Sequence, residues 1–291
     1  MLSLIHARRT ILQCEIINAF SLDVVRMSNS TDLGYKDVHL AICRYDLAGT
    51  LGWQDVKQRY RRSKLGPFWL TISMGVMIGA LGLVFGGIFN TPMREFLPFL
   101  AIGIILWVYI STVINEGCTA FISSDAIIKQ LPLPLFLHVM RVIWRNAVIL
   151  AHNVVIIPVL FLVFLKPLEL VAFLAIPGLL LSTLTLAWVA LLAGVLCTRY
   201  RDLTQIVASV LQIAFYLTPI IWMPGLLSGR RSFFFLEMNP FYHLIEVVRA
   251  PLLGSAPTLT NWVVSAALAL VGWIITLWVH GKYKNRISYW L

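Results

Sequence analysis

The sequence predicts an all-α membrane protein. Its six transmembrane helices follow an N-terminal amphipathic helix in the interface, and an outer re-entrant helical segment precedes the last span. Three observations predict this. Apolar residues make up 59% of the chain and charged residues only 12%, about half the roughly 25% usual in soluble domains. Six apolar runs are long enough to cross a hydrocarbon core, which takes about 20 helical residues. When those runs are laid across a membrane, 18 of the 23 Lys and Arg residues fall on one side.

Residues 1–30 show no signal-peptide order of cations, apolar core and small-residue cleavage site. They are set apart as an N-terminal extension, with Met27 expected as the start. Residues 31–66 form the amphipathic segment. Over 35–50 it places Val38, Ile42, Tyr45 and Ala48 on one helical face and Lys36, Asp37 and Arg44 on the other, the pattern of a helix lying in the interface. Residues 67–280 hold the spans: Phe68 to Phe89, Phe96 to Asn115, Ala147 to Leu165, Leu170 to Leu196, Ile206 to Leu226 and Asn261 to His280. The third helix is expected to begin near Leu135, with Arg141 and Arg145 at its mouth. Residues 281–291 are a tail.

The positive-inside rule then puts both termini in the cytoplasm. It also gives the cluster KQRYRRSKLGPFWL at 57–70 a simple role, anchoring the first span. Its cations lie against a bilayer and do not line a soluble fold, which argues against nucleic acid as a partner. Between spans two and three, Ser124-Asp125 is placed to cap a short helix that Pro132 and Pro134 stop. On the outer side Asn239 is a suitable N-cap with Pro240 at the first helical position. Phe241, Leu244, Val248 and Leu252 follow at helical spacing, while Glu246 and Arg249 prevent this helix from spanning.

The chemistry of the chain is read as much from what it lacks. GxxxxGK[ST] is absent, so no ATP is held by a P-loop. Cysteines 14, 43, 118 and 197 have no metal or redox spacing and read as isolated small hydrophobes. No zinc pattern occurs, so neither a metal nor any other cofactor is expected in this chain. No carboxylate lies in the middle of a span, where ion-coupled carriers need one. His152-Asn153 stands mid-span and reads as a helix-packing pair more readily than as a proton relay.

Asp202, Gln205, Ser209, Gln212 and Tyr216, spaced three, four, three, four, share one face of the fifth span. That stripe must face protein or water. Hydrogen bonds between helices and an uncharged channel wall both explain it. Gly75, Gly79, Gly82 and Gly86 form a small-residue stripe on the first span, suited to close helix approach or to a smooth wall. Phe85, Trp107, Phe215 and Tyr216 lie away from the interface belts. Rings and amides together suit a hydroxylated substrate.

RYRRSKLGPFW at 59–69, RYRDL at 199–203 and NPFYHLIEVVRAPLLG at 239–254 resemble the polysaccharide-exporting ABC permeases, which include O-antigen, capsule and teichoic-acid exporters. IIKQLPLP at 127–134 fits more loosely, with Asp125 standing where the family often has Asn. The resemblance covers about 33–291. It implies a homodimer working with two separate ATP-binding subunits, which would hold ATP and Mg, in a bacterial inner membrane. Its substrate would be a lipid-linked polysaccharide.

The resemblance also implies a gate helix over Tyr35 to Arg62 and coupling segments over Ser124 to Leu131 and Arg199 to Leu203. That makes Ser124, Asp125, Lys129, Arg199, Arg201 and Asp202 the coupling candidates. The family's first and fifth spans line the path, so Phe85, Trp107, Ser209, Gln212, Phe215 and Tyr216 become channel candidates. Arg59, Arg61 and Arg62 could meet a lipid pyrophosphate at the entrance, and plain lipid anchoring explains them equally. Two other classes compete: an ion-independent channel or carrier, and a membrane enzyme acting on lipid-linked sugar. Such an enzyme would draw on Glu116, Asp125, His243 or Glu246, which the sequence does not pair.

Overall fold

The computed structural model describes residues 30–61, 68–226 and 236–291. The expectations for residues 1–29, for Arg62 and for the rest of 62–67 lie outside the described residues. Among the described residues every regular element is a helix: α1 (30–43), α2 (Tyr45–Tyr60), α3 (Phe68–Phe89), α4 (Met93–Cys118), α5 (Asp125–Gln130), α6 (Phe136–Val154), α7 (Ile156–Val163), α8 (Ala175–Arg199), α9 (Leu203–Leu217), α10 (Pro240–Leu252) and α11 (Leu259–Trp290).

Five stretches are long and apolar enough to cross a membrane: Phe68–Phe89, Met93–Cys118, Phe136–Val163, Leu170–Arg199 and Leu259–Trp290. The third breaks at Val155 into α6 and α7, because Pro158 has no N–H to offer the carbonyl of Val154. The sixth continues as helix through 281–290.

The predicted fifth span is corrected. In place of a helix over 206–226 there is a 15-residue α9. At about 1.5 Å per residue it reaches about 22 Å, short of a bilayer core of about 30 Å. Thr218-Pro219 ends it, since a residue before proline is pushed out of helical geometry. Thr218 is extended, at φ −90° and ψ 137°.

α4 is the central helix. Its buried residues run from Phe96 to Cys118, and it packs against α3, α6, α7, α8, α9 and α10. Small residues permit its closest approach to α8. A Cβ on Gly117 would stand 2.8 Å from the Cα of Ala190, and one on Gly194 would stand 3.1 Å from the carbonyl oxygen of Gly117. One residue beyond Gly117 the buried Cys118 lies near the buried Cys197 of α8, whereas the sequence presents the two as isolated.

The interface segment is two helices that join at Arg44, and its faces differ from the predicted ones. Val38 and Ala48 are buried as expected, whereas Ile42 and Tyr45 are exposed and Asp37 is completely buried. The buried stripe is Gly34, Asp37, Val38 and Ala41 in α1, then Ala48, Gly52 and Val56 in α2. Backbone contact explains the first part. A Cβ on Gly34 would lie 2.3 Å from the carbonyl oxygen of Leu277, so α1 crosses α11 with no room for a side chain. A Cβ on Gly52 would lie 2.7 Å from the ring of Trp144, which seats α2 on α6.

Asp37 closes this corner. Its carboxylate accepts from the backbone N–H groups of Leu135 at 3.2 Å and Phe136 at 3.0 Å, capping α6 from outside that helix. The same carboxylate meets His280 Nε2 at 3.0 Å and Lys284 Nζ at 2.9 Å on α11. Burial alone would push its carboxyl up. The hydrogen bond and charge of His280, the Lys284 ammonium and the Phe136 N–H outweigh burial and hold it at about 2.

Replacing Asp37 by Asn leaves a cation facing a neutral amide in a buried site. A loss of about 3 kcal/mol is expected, by analogy with other broken buried pairs. The folded carboxyl lies below the ordinary 3.8, so its contribution is present above that value and fades as pH falls toward 2. Thermal denaturation in detergent should show a gap between wild type and Asp37→Asn that is full at pH 5 and shrinks below pH 4. A gap that does not change down to pH 3 would contradict this account.

Candidate functional site

One groove runs between α3, α4 and α9. It is lined by Met77, Leu81, Ile104, Trp107, Val108, Ser111, Asn115, Ala208, Leu211, Gln212 and Phe215, with a volume of ≈ 390 Å³. Trp107 is nearly buried and forms its back wall. Its ring lies 5.8 Å from that of Phe215 and 5.4 Å from that of Phe241 on α10. Phe215 in turn stands edge-on to Tyr216 at 5.3 Å. The rings keep the slanted and edge-to-face geometries that aromatic quadrupoles favour. No lining residue carries a charge, while Gln212, Asn115 and Ser111 supply amide and hydroxyl groups.

The structure thus places three of the six channel candidates in the groove, Trp107, Gln212 and Phe215, with Tyr216 beside Phe215. Ser209 is exposed one turn earlier on α9, and its hydroxyl donates to the Gln205 carbonyl at 3.0 Å. Phe85 lies apart. It stacks on Phe89, which packs against Phe96 of α4. Ser111 and Asn115 escaped the sequence reading. They stand four residues apart on α4, and that spacing was the available signal.

The glycine stripe of α3 divides. Gly82 and Gly86 face Leu97 and Met93 of α4, whereas Gly75 and Gly79 meet nothing within 4 Å. The open pair lines a second groove with Thr71, Leu97 and α7. His152 donates no bond between helices; its Nδ1 pairs with the Val148 carbonyl of its own helix at 2.7 Å. Its ring packs edge-on against Phe68 of α3 at 6.3 Å, and Asn153 is buried.

A network of charges joins α2, α4 and α6 where the cations collect. Asp55 holds Arg141, with Nε at 2.6 Å, and Arg145, with Nη1 at 3.0 Å. Arg145 also reaches Glu116 at 2.6 Å, as does Asn146 at 2.6 Å. Arg59 reaches the same Glu116 at 3.1 Å. Its side chain is half exposed, so the pair contributes at most about 1 kcal/mol after solvent screening. Arg59 is thus shared between the network and the surface, and Arg61 is exposed at the end of α2. The i, i+4 spacing of Arg141 and Arg145 was the sequence sign that a carboxylate should face them.

Both turns proposed for coupling lie at this end. Asp125 and Lys129 pair across one turn of α5 at 2.9 Å. Ser124 occupies the cap position but donates and accepts no capping bond there. The predicted Ser124 cap is thus not made. Arg199 ends α8, and Tyr200 to Asp202 turn the chain into α9 through hydrogen bonds to the carbonyls of Tyr200, Arg201 and Asp202. Arg201 and Asp202 are exposed.

At the opposite end α10 clamps the broken helix. Asn239 caps α10 as predicted, accepting from Phe241 N at 3.0 Å, and its amide also donates to Thr218 at 2.9 Å. Arg249 is completely buried. It donates to the Pro219 carbonyl at 2.6 Å and to Glu246 at 2.6 and 3.0 Å, and lies 4.0 Å over the Phe99 ring. α10 itself rests on α8, where a Cβ on Gly178 would meet the Val247 carbonyl at 2.4 Å and Ser182 donates to the Leu244 carbonyl at 2.9 Å.

These bonds consume the groups proposed for an enzyme. Glu116, Asp125 and Glu246 are ion-paired, and His243 is bound to Asn261 and to the Glu237 carbonyl, each at 2.8 Å. Among the described residues no cluster of three or more His, Cys, Asp or Glu could hold a metal.

A helical bundle with five stretches long and apolar enough to cross a membrane and an uncharged groove has the architecture of a multi-pass membrane protein. Residues 47–253 match the family of ABC-2 type transporters, and the chain belongs to that family. It is 25% identical over 206 residues to the O-antigen export system permease protein RfbA of Myxococcus xanthus, covering 68% of this chain and 76% of that protein. It is 24% identical over 253 residues to the protein of the same name from Klebsiella pneumoniae, covering 84% and 94%.

Arg249→Met should cost about 3–5 kcal/mol, because it strands Glu246 and the Pro219 carbonyl. Adding Glu246→Gln should recover part of the loss, since residues in one network couple. Melting temperatures of the single and double variants check both. Strict additivity would show that Arg249 does not act through Glu246.

Proposed function

We propose that this chain is the permease subunit of an ABC exporter for a lipid-linked polysaccharide, with O-antigen as the substrate, in a bacterial inner membrane. The observation that carries the reading is the groove of Trp107, Phe215, Gln212, Ser111 and Asn115. Sugars present CH faces to rings and hydroxyls to amides, and they require no charge. The names of the Myxococcus xanthus and Klebsiella pneumoniae relatives point to the same cargo. Capsule and teichoic-acid polymers fit the same chemistry.

The end with the Asp55–Arg141–Arg145–Glu116 network faces the cytoplasm in this reading, where the positive-inside rule puts it. Two copies of the chain work with two ATP-binding subunits, which supply ATP and Mg and act on α5 and on the turn from Arg199 to Leu203. Arg59, Arg61 and Arg62 meet the anionic carrier. The short α9, extended by the non-helical residues that follow it from Thr218, serves as the fifth of six spans. The exposure of Gln205, Ser209, Gln212 and Tyr216 on α9 supports a wet path walled by α9 and its counterpart in a second copy. Lipid could not satisfy that stripe.

Tyr216→Ala and Gln212→Ala test the path. Both side chains are exposed, so stability should stay within about 0.5 kcal/mol of wild type. Surface O-antigen should fall while lipid-linked polymer accumulates inside the cell. Full export from both variants would remove the groove from the path. Loss of polymer synthesis in a strain lacking the chain would favour an enzyme.

A further inference from the structure

The last turn of α11 supports the turn between α8 and α9. The Arg199 guanidinium lies 5.0 Å from the centroid of Tyr200 and 5.4 Å from that of Trp290. Trp290 is held in turn by Tyr283, one ring 5.5 Å from the other. Ile287 between them is completely buried and anchors the turn in the core. α11 also packs against α5. One helix therefore backs both segments that the resemblance marks for coupling.

Around this support stand exposed apolar groups: Leu131 after α5, Tyr200 in the turn, and Tyr289, which is 90% exposed. Charged neighbours on the same elements are Lys129 paired with Asp125, then Arg201, Asp202 and Arg286. Aromatic rings and arginines set together at a polar end of the molecule are the composition of an interface centre. Ile287 and Trp290 turn inward, which leaves Tyr289 pointing away from the bundle. Among the described residues the Tyr289 ring is left open on this surface.

We infer that residues 287–291 are a third part of the docking surface for the ATP-binding subunit, beside α5 and the Tyr200 to Asp202 turn. Trp290 is a positioning residue that holds Arg199, and Tyr289 makes direct contact. The surface fits a partner groove that is apolar at its floor and acidic at its rim. This inference rests on the export reading given above.

The test is co-purification of the full chain with its ATP-binding subunit from native membranes at increasing salt. Tyr289→Ala, Trp290→Ala and Trp290→Phe are compared with wild type, alongside their melting temperatures and surface polysaccharide. The cation stack is at an exposed site, so Trp290→Ala should weaken retention of the subunit about two- to fivefold, with Trp290→Phe restoring most of it. Tyr289→Ala should also lose the subunit while melting as wild type does. Wild-type retention and export in Tyr289→Ala and Trp290→Ala would overturn the inference and leave the export reading intact. A wild-type chain that brings no ATP-binding subunit would overturn both. Should Trp290→Ala unfold, Tyr289→Ala decides alone, because its side chain touches nothing that folding needs.

Discussion

Lipid offers no hydrogen bonds, so a charged group placed among the helices is costly unless the chain brings partners to it. That constraint organises the fold at both ends. Asp37 is answered by His280, Lys284 and two backbone N–H groups. Those partners come from α11 and from the start of α6, so one carboxylate ties together elements nearly 250 residues apart in sequence. Arg249 does the same at the other end. The carbonyl of Pro219 is stranded where α9 stops short, and the guanidinium that reaches it belongs to α10. The break in α9 and the charge in α10 are each costly alone and tolerable together.

The two ends differ in how they are held. Around Arg249 the contacts are direct and closed: Gly178 and Ser182 of α8 press on α10, and Asn239 joins its N-terminus to Thr218. At the other end the charges form a partly exposed web over Asp55, Glu116, Arg141, Arg145 and Arg59. Of these only Arg59 is half exposed and can exchange its partner for water at little cost, whereas Asp55, Arg141 and Arg145 are mostly buried and resist rearrangement. The web ties α2 to α4 and α6, and the clamp keeps a broken helix from unravelling.

Much of this was legible in the chain, and the failures have a common cause. Long apolar runs decide span positions by length alone, so four of the six and the mouth at Arg141 were read closely. Asn239-Pro240 was readable because capping is local chemistry. The faces of α1 were misread because amphipathic reasoning sends carboxylates outward, and only the distant His280 and Lys284 make a buried Asp37 affordable. The fifth span was overextended because hydropathy does not register backbone geometry, although Thr218-Pro219 was in view. Trp107, Gln212, Phe215 and Tyr216 were found as residue types. Their convergence, with Asn115 and Ser111 opposite, depends on how α9 lies on α4, and no local pattern encodes that.

The packing of α9 is the last consequence. A helix of 15 residues that touches chiefly α4 buries little beyond Leu211. Its apolar residues Ile206, Val210, Ile213 and Leu217 are open on one side and its amides on another. Lipid suits the first set and not the second, so the two faces cannot share one environment. A helix tethered by a three-residue turn at one end and by Asn239 and Arg249 at the other is fixed at its ends and lightly held along its length. Motion imposed at the Tyr200 to Asp202 turn would therefore be carried along α9 past the ring of Trp107, until it met the clamp at Pro219. That places the uncharged groove on a helix whose middle is lightly held.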